Sequence, residues 1–124
     1  MKWLSLGMVE IFHRESLVRF GGADGLRDAG LLDSALARPE NVRAYEPDAD
    51  VFRIAAVYCA GIVKNHPFID GNKRTGTLAA IASLALNGIS VEFVEAEIVA
   101  MIIGLAGSEI DEHHLAEWLR RSAV

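Results

Sequence analysis

The chain has 124 residues, just over half of them apolar, and its 12 basic and 17 acidic side chains leave a formal net charge of −5. That is the size of one domain with enough apolar matter for one core, so a single domain over 1–124 is expected. The acidic balance speaks against a non-specific nucleic-acid binder, which needs a dense basic surface to displace counterions.

Ser5 is placed to cap a first helix whose apolar positions include Leu6, Val9, Phe12, Leu17 and Phe20, and Gly21-Gly22 ends it. Turn chemistry follows around Asp24, Gly25, Asp28 and Gly30. A short second helix carries Leu31, Leu32, Ala35 and Leu36, with Asp28 or Asp33 as its cap. Arg38-Pro39 closes it, because a residue before proline is pushed out of the helical region. Residues 39–49 read as an exposed loop, with room for a small hairpin. A third helix starts near Asp50, with Val51, Ile54, Ala55, Tyr58, Cys59 and Ile62 at spacings of three and four.

A fourth helix covers about Asn72 to Leu86. Its middle is apolar almost all round, which predicts the buried central helix. Asn87-Gly88 stops it, and a short strand near 90–94 fits the alternation of Val91 and Phe93. A fifth helix runs over Glu95 to Ala106 and a sixth over about Asp111 to Arg121, with Leu115, Trp118 and Leu119 on one face. The expected fold is all-α, with about six helices.

The one cysteine, Cys59, can form no internal disulfide and sits among apolar residues, so a buried hydrophobe is expected. The chain opens without an uninterrupted apolar leader. Its longest uncharged run, 75–91, is short for a membrane span and is broken by Asn87-Gly88. A cytoplasmic protein is expected.

The chemistry concentrates between the third and fourth helices, in Asn65-His66-Pro67-Phe68-Ile69-Asp70-Gly71-Asn72-Lys73-Arg74-Thr75-Gly76. Its end is a helix N-terminus, where unpaired N–H groups and the helix dipole favour an anion. Gly71 permits positive φ and close backbone approach. Lys73 and Arg74 add fixed positive charge, and Arg74 can grip a phosphate with two donors. His66 can take a proton from an attacking hydroxyl. Asp70 can hold Mg²⁺ through one carboxylate, with phosphate oxygens and waters completing the shell. Phe68 reads as the anchor of the loop in the core. His113-His114 fit no familiar ligand spacing and read as a solvated helix face; His13 could approach the cleft, but a partly buried helix residue is the simpler reading.

The run His66 to Arg74 closely resembles the motif of the Fic family: histidine-x-phenylalanine-x-acidic-glycine-asparagine-glycine/lysine-arginine. Gly21-Gly22, Gly25-Leu26-Arg27-Asp28, Gly30-Leu31-Leu32, Ala35 and Arg38-Pro39 resemble the N-terminal half of its Doc branch, and Leu86-Asn87-Gly88 and Trp118-Leu119 also fit. The resemblance covers nearly the whole chain. It implies His66 as general base, Asp70 as Mg²⁺ ligand, and Gly71, Asn72 and Lys73 as the phosphate cradle. Arg74 would contact phosphate and stabilise the developing charge.

AMP-transferring members have glycine at the position of Lys73 and a second arginine at that of Thr77. Doc members share the lysine, which implies ATP turned so that its γ-phosphate faces the target. It also implies kinase activity on elongation factor Tu, arrest of translation, and restraint by a Phd-like antitoxin. Phage-type members have alanine where this chain has Gly71 and asparagine where it has Leu78, so AMP transfer stays open. So does an inactive module that only binds a nucleotide or partner. The loop around Arg43 to Asp48 is a candidate target-docking flap. Ser108 and Glu112 have the spacing of a self-inhibitory motif, but His113 follows where glycine or asparagine is needed.

Overall fold

The computed structural model describes residues 1–124 and holds six helices: α1 (Leu6–Phe20), α2 (Ala29–Tyr45), α3 (Val51–Asn65), α4 (Asn72–Leu86), α5 (Glu95–Ala106) and α6 (Glu112–Arg121). The all-α fold is as expected. Four starts are fixed by a side-chain oxygen that accepts an otherwise orphaned N–H. Ser5 takes that of Met8, Asp28 that of Leu31, Asp50 that of Arg53 and Asp111 that of His114. Extended pairing is limited to two isolated bridges, Leu26 with Phe68 and Val91 with Ala123. No strand forms over 90–94 and no hairpin over 39–49.

Two expectations need correction. The second helix does not stop at Arg38 but runs through Pro39 to Tyr45. A proline inside a helix costs about 3 kcal/mol. Here the ring is fully buried, Val42 beyond it packs on the core, and Arg43 donates to the Ala49 carbonyl at 2.7 Å. Tertiary packing outweighs the local rule.

The central helix is α3, not α4. Every residue from Arg53 to Val63 is buried. One core cluster joins Ala55, Ala56 and Cys59 to Leu84, Ile102, Leu105 and Leu119; the other joins Ile54, Tyr58 and Ile62 to Val9, Leu32, Phe68 and Ala79. The polar groups of α3 are buried because each is satisfied. The Tyr58 hydroxyl accepts the N–H of Leu4 at 3.0 Å, and Arg53 pairs with Glu46 at 3.2 Å and Glu112 at 2.7 Å. On α4, by contrast, Leu78, Ile81, Ala82 and Leu86 are only partly buried and Ala85 is exposed, so its apolar run is not enclosed on all sides.

Helices α3 and α4 cross closely at Gly76. A β-carbon there would lie 2.8 Å from Val63 Cγ2 and 3.2 Å from the Cys59 carbonyl oxygen. The crossing brings the end of α3 and the start of α4 together, joined by 66–71. No helix is long and apolar enough to cross a membrane.

Candidate functional site

The motif loop begins with strained backbone. His66 caps α3 in the left-handed region, at φ 52° and ψ 53°, and its N–H donates to the Ile62 carbonyl at 3.1 Å. A side chain costs about 1–2 kcal/mol there, and glycine is the usual residue. The fold alone does not ask for histidine at this position, and the side chain is exposed.

The loop is held from outside by the segment 23–28. Arg27 donates from Nε to the His66 carbonyl at 2.6 Å and from its terminal nitrogen to that of Asn65 at 2.8 Å. The N–H groups of Arg27 and Asp28 donate to the Pro67 carbonyl at 2.7 and 3.0 Å, and Ile69 N–H donates to Gly25 at 3.0 Å. No hydrogen bond or ion pair joins the candidate flap at 43–48 to the motif. Arg43 to Tyr45 are helical and Glu46 pairs with Arg53, so the segment beside the motif is 23–28.

Inside the loop, Phe68 is 3% exposed and Asn72 5% exposed. The Asn72 amide closes on the Phe68 backbone, accepting its N–H at 3.0 Å and donating to its carbonyl at 2.9 Å. This corrects one expectation: the Asn72 side chain is committed to the loop, and only its backbone N–H is left for an anion. His13 is both a buried helix residue, as expected, and a wall of the motif loop. The imidazole, on α1, stacks on Phe68 at 3.8 Å and 8°, and Nε2–H donates to the Asp70 carbonyl at 2.9 Å. Nothing local marks it, since 57 residues separate the pair.

The far end of the loop is the start of α4. Gly71 is its N-cap at φ 80°, with no side chain capping the helix. A β-carbon on Gly71 would lie 3.0 Å from Ser16 Oγ. Thr75 donates its N–H and its hydroxyl to the Gly71 carbonyl at 2.9 and 2.8 Å, which makes it a helix residue rather than a nucleophile. The N–H groups of Asn72, Lys73 and Arg74 have no acceptor within the helix. Lys73 and Arg74 are exposed, and the Arg74 guanidinium lies 4.2 Å above the Phe20 ring. None of the six ion pairs contains His66, Asp70, Lys73 or Arg74.

Asp70 is also exposed. Its Oδ1 accepts the N–H of Gly71 at 3.0 Å and its Oδ2 that of Ala23 at 3.3 Å, so each oxygen keeps a free lone pair. No group of three or more His, Cys, Asp or Glu side chains could hold a metal alone. One carboxylate beside an anion cradle fits Mg²⁺, which takes one or two carboxylates together with substrate phosphates.

Other candidate features lie elsewhere. Burial pushes the Cys59 thiol up to about 12, which removes it from nucleophilic chemistry. His113 and His114 are exposed on α6. Glu112 is bound to Arg38 and Arg53, so it cannot serve as an inhibitory partner of Arg74. A cavity of about 560 Å³, lined by Arg38, Lys64, Ser108 and Glu109 among others, lies between α2 and the α5–α6 turn. A smaller one of about 200 Å³ borders His13 and Phe68.

The family comparison follows the same residues. The model of the Fic/DOC family matches residues 3–84. The chain is similar to the protein kinase Doc of Escherichia phage P1, with 32% identity over 121 residues, covering 98% of this chain and 95% of that one. It is also similar to the toxin Doc of Mycolicibacterium smegmatis, with 38% identity over 91 residues, covering 68% and 69%. With the loop, the fold and both relatives in agreement, the chain belongs to the Fic/Doc family.

Proposed function

We propose that this chain is a Doc-like toxin that transfers the γ-phosphoryl group of ATP to a hydroxyl of a protein. The observation that carries the reading is the set of unpaired groups at one place: exposed His66 on strained backbone, the Asp70 carboxylate, and the uncapped start of α4 flanked by Lys73 and Arg74. A site that spends backbone strain and leaves its charges unpartnered is suited to a charged ligand.

In this reading the triphosphate lies on the N–H groups of Asn72 to Arg74, with Gly71 leaving room for its approach. The target hydroxyl gives its proton to His66 as its oxygen bonds to the γ-phosphorus. The bond from that phosphorus to the β,γ-bridging oxygen breaks, and ADP leaves. Lys73, Arg74 and the helix terminus stabilise the charge spread over the phosphoryl oxygens, which is the main demand of this reaction. Asp70 would hold Mg²⁺, which supplies further charge neutralisation on the phosphates. Phe68 anchors the loop. Elongation factor Tu is the proposed target and a Phd-like antitoxin the proposed restraint, with residues 1–124 acting as one domain in the cytoplasm. Lys73, where AMP-transferring members have glycine, supports phosphate over AMP as the group moved.

The test is mass spectrometry of elongation factor Tu, and of whole lysate, after incubation with the protein, ATP and Mg²⁺, beside a His66→Ala control. A phosphate on a threonine or serine, absent from the control, is the expected result. An added AMP would replace the kinase reading with nucleotidyl transfer. An unchanged lysate would leave a module that only binds.

A further inference from the structure

Helix α1 does more than cover the motif loop. His13 is 5% exposed, and a buried imidazole on a helix needs a reason. Two contacts supply it, and both fall on the motif. Its ring lies flat on Phe68, and its Nε2 is 2.9 Å from the Asp70 carbonyl oxygen. A carbonyl only accepts, so Nε2 carries the proton. One turn further along α1, Ser16 Oγ is fully buried with no partner, 3.0 Å from where a Gly71 β-carbon would be. The peptide between Asp70 and Gly71 is thus fixed on its carbonyl side by His13 and leaves no room beyond Gly71. That peptide sets both the direction of the Asp70 carboxylate and the left-handed turn that opens α4 to solvent.

We infer that His13 is a positioning residue for the transfer reaction. By donating to the Asp70 carbonyl, it fixes the orientation of the Asp70–Gly71 peptide and, through it, the carboxylate and the anion-binding start of α4. The inference rests on the function proposed above, but its structural half can be read without activity.

Three substitutions separate the donor from the stacked ring. His13→Phe keeps an aromatic ring on Phe68 and removes the donor. His13→Gln places an amide nitrogen near the Nε2 position, and His13→Asn is too short to reach. Each full-length variant is assayed for transfer, with rate and apparent KM for ATP resolved, for melting temperature, and for amide exchange at Gly71 to Arg74 without nucleotide. A misplaced reacting group costs on the order of 10²-fold, so His13→Phe and His13→Asn should lose about that much in rate, whereas His13→Gln stays within about threefold of the parent. Exchange at Gly71 should accelerate in the first two and not in the third.

Equal losses for all three, in step with melting temperature, would overturn the inference and leave His13 as packing. So would parental rate and exchange in His13→Phe. If the parent chain transfers nothing while the exchange pattern appears as stated, the proposed reaction fails and the positioning of the loop by His13 stands.

Discussion

Two charged regions of the molecule are built on opposite principles. At one, Glu112 takes hydrogen bonds from Arg38 at 2.6 Å and Arg53 at 2.7 Å, Arg53 also meets Glu46, and Asp50 pairs with Arg120 at 2.7 Å. Every formal charge there has an opposite partner, and together they tie α2, α3 and α6. At the other, His66, Asp70, Lys73 and Arg74 stand within nine residues of sequence and share no ion pair. The first arrangement uses charge to hold helices in place. The second holds charge ready for something from solution. The distinction lies in partnership, not in the number of charged residues.

Substitutions in the two regions should therefore fail differently. The largest effect is expected at His66. His66→Ala should lower the transfer rate by roughly 10²–10⁴-fold, the usual contribution of a positioned base, while ATP affinity by calorimetry stays near the parent value. Loss of binding together with rate would make His66 a ligand contact instead.

Glu112→Ala should act on the fold. Removing one partner of a buried ion pair leaves Arg53 under-compensated and costs about 3 kcal/mol, measured by urea unfolding, with transfer by the folded fraction unchanged. The pH dependence has a fixed sign. Burial alone would raise the Glu112 pKa, but the hydrogen bonds and charges of Arg38 and Arg53 outweigh it and hold the carboxyl below the ordinary glutamate range. Its contribution is then complete above the unfolded value, about 4.3, and is lost as pH falls through the lower folded value. Stability measured below about pH 4.3 should fall less steeply in Glu112→Gln than in the parent.

A smaller effect is expected where Arg74 rests on Phe20. An exposed cation–π contact is worth about 0.5–1 kcal/mol, so Phe20→Leu should raise the KM for ATP about two- to fivefold, and Phe20→Trp should not. The smallest effect reverses sign. His66→Gly relieves the left-handed backbone but adds freedom to the unfolded chain, for a net gain of about 0.5 kcal/mol in stability alongside lost transfer. A thermal-shift comparison with His66→Ala, which keeps the strain, isolates the backbone contribution.

The sequence made some of this readable and concealed the rest for physical reasons. The bounds of α4 and α5 follow from Asn87-Gly88, Gly107 and local periodicity, and the structure reproduces them. The motif was readable because its chemistry is contiguous. The length of α2 was not, because Pro39 obeys a local rule that packing around Val42 and Arg43 overrides. The centrality of α3 was hidden by Arg53, which looks like a surface residue until Glu46 and Glu112 are brought to it. Asn72 resembles a ligand-facing amide in one dimension, and only in three does it turn back to Phe68. His13 is the hardest case, because its partners Phe68 and Asp70 lie on the far side of two intervening helices in the sequence.

The notch at Gly76 gives the molecule a hidden point of vulnerability. A single methyl on Gly76 would press on Val63 and the Cys59 carbonyl and wedge apart the two helices that carry His66 and the anion cradle. In a random-mutagenesis screen for inactive variants, Gly76→Ala should therefore be recovered beside changes at His66 and Asp70. A mild substitution on the wall of the core would have the phenotype of a lesion at the reacting groups.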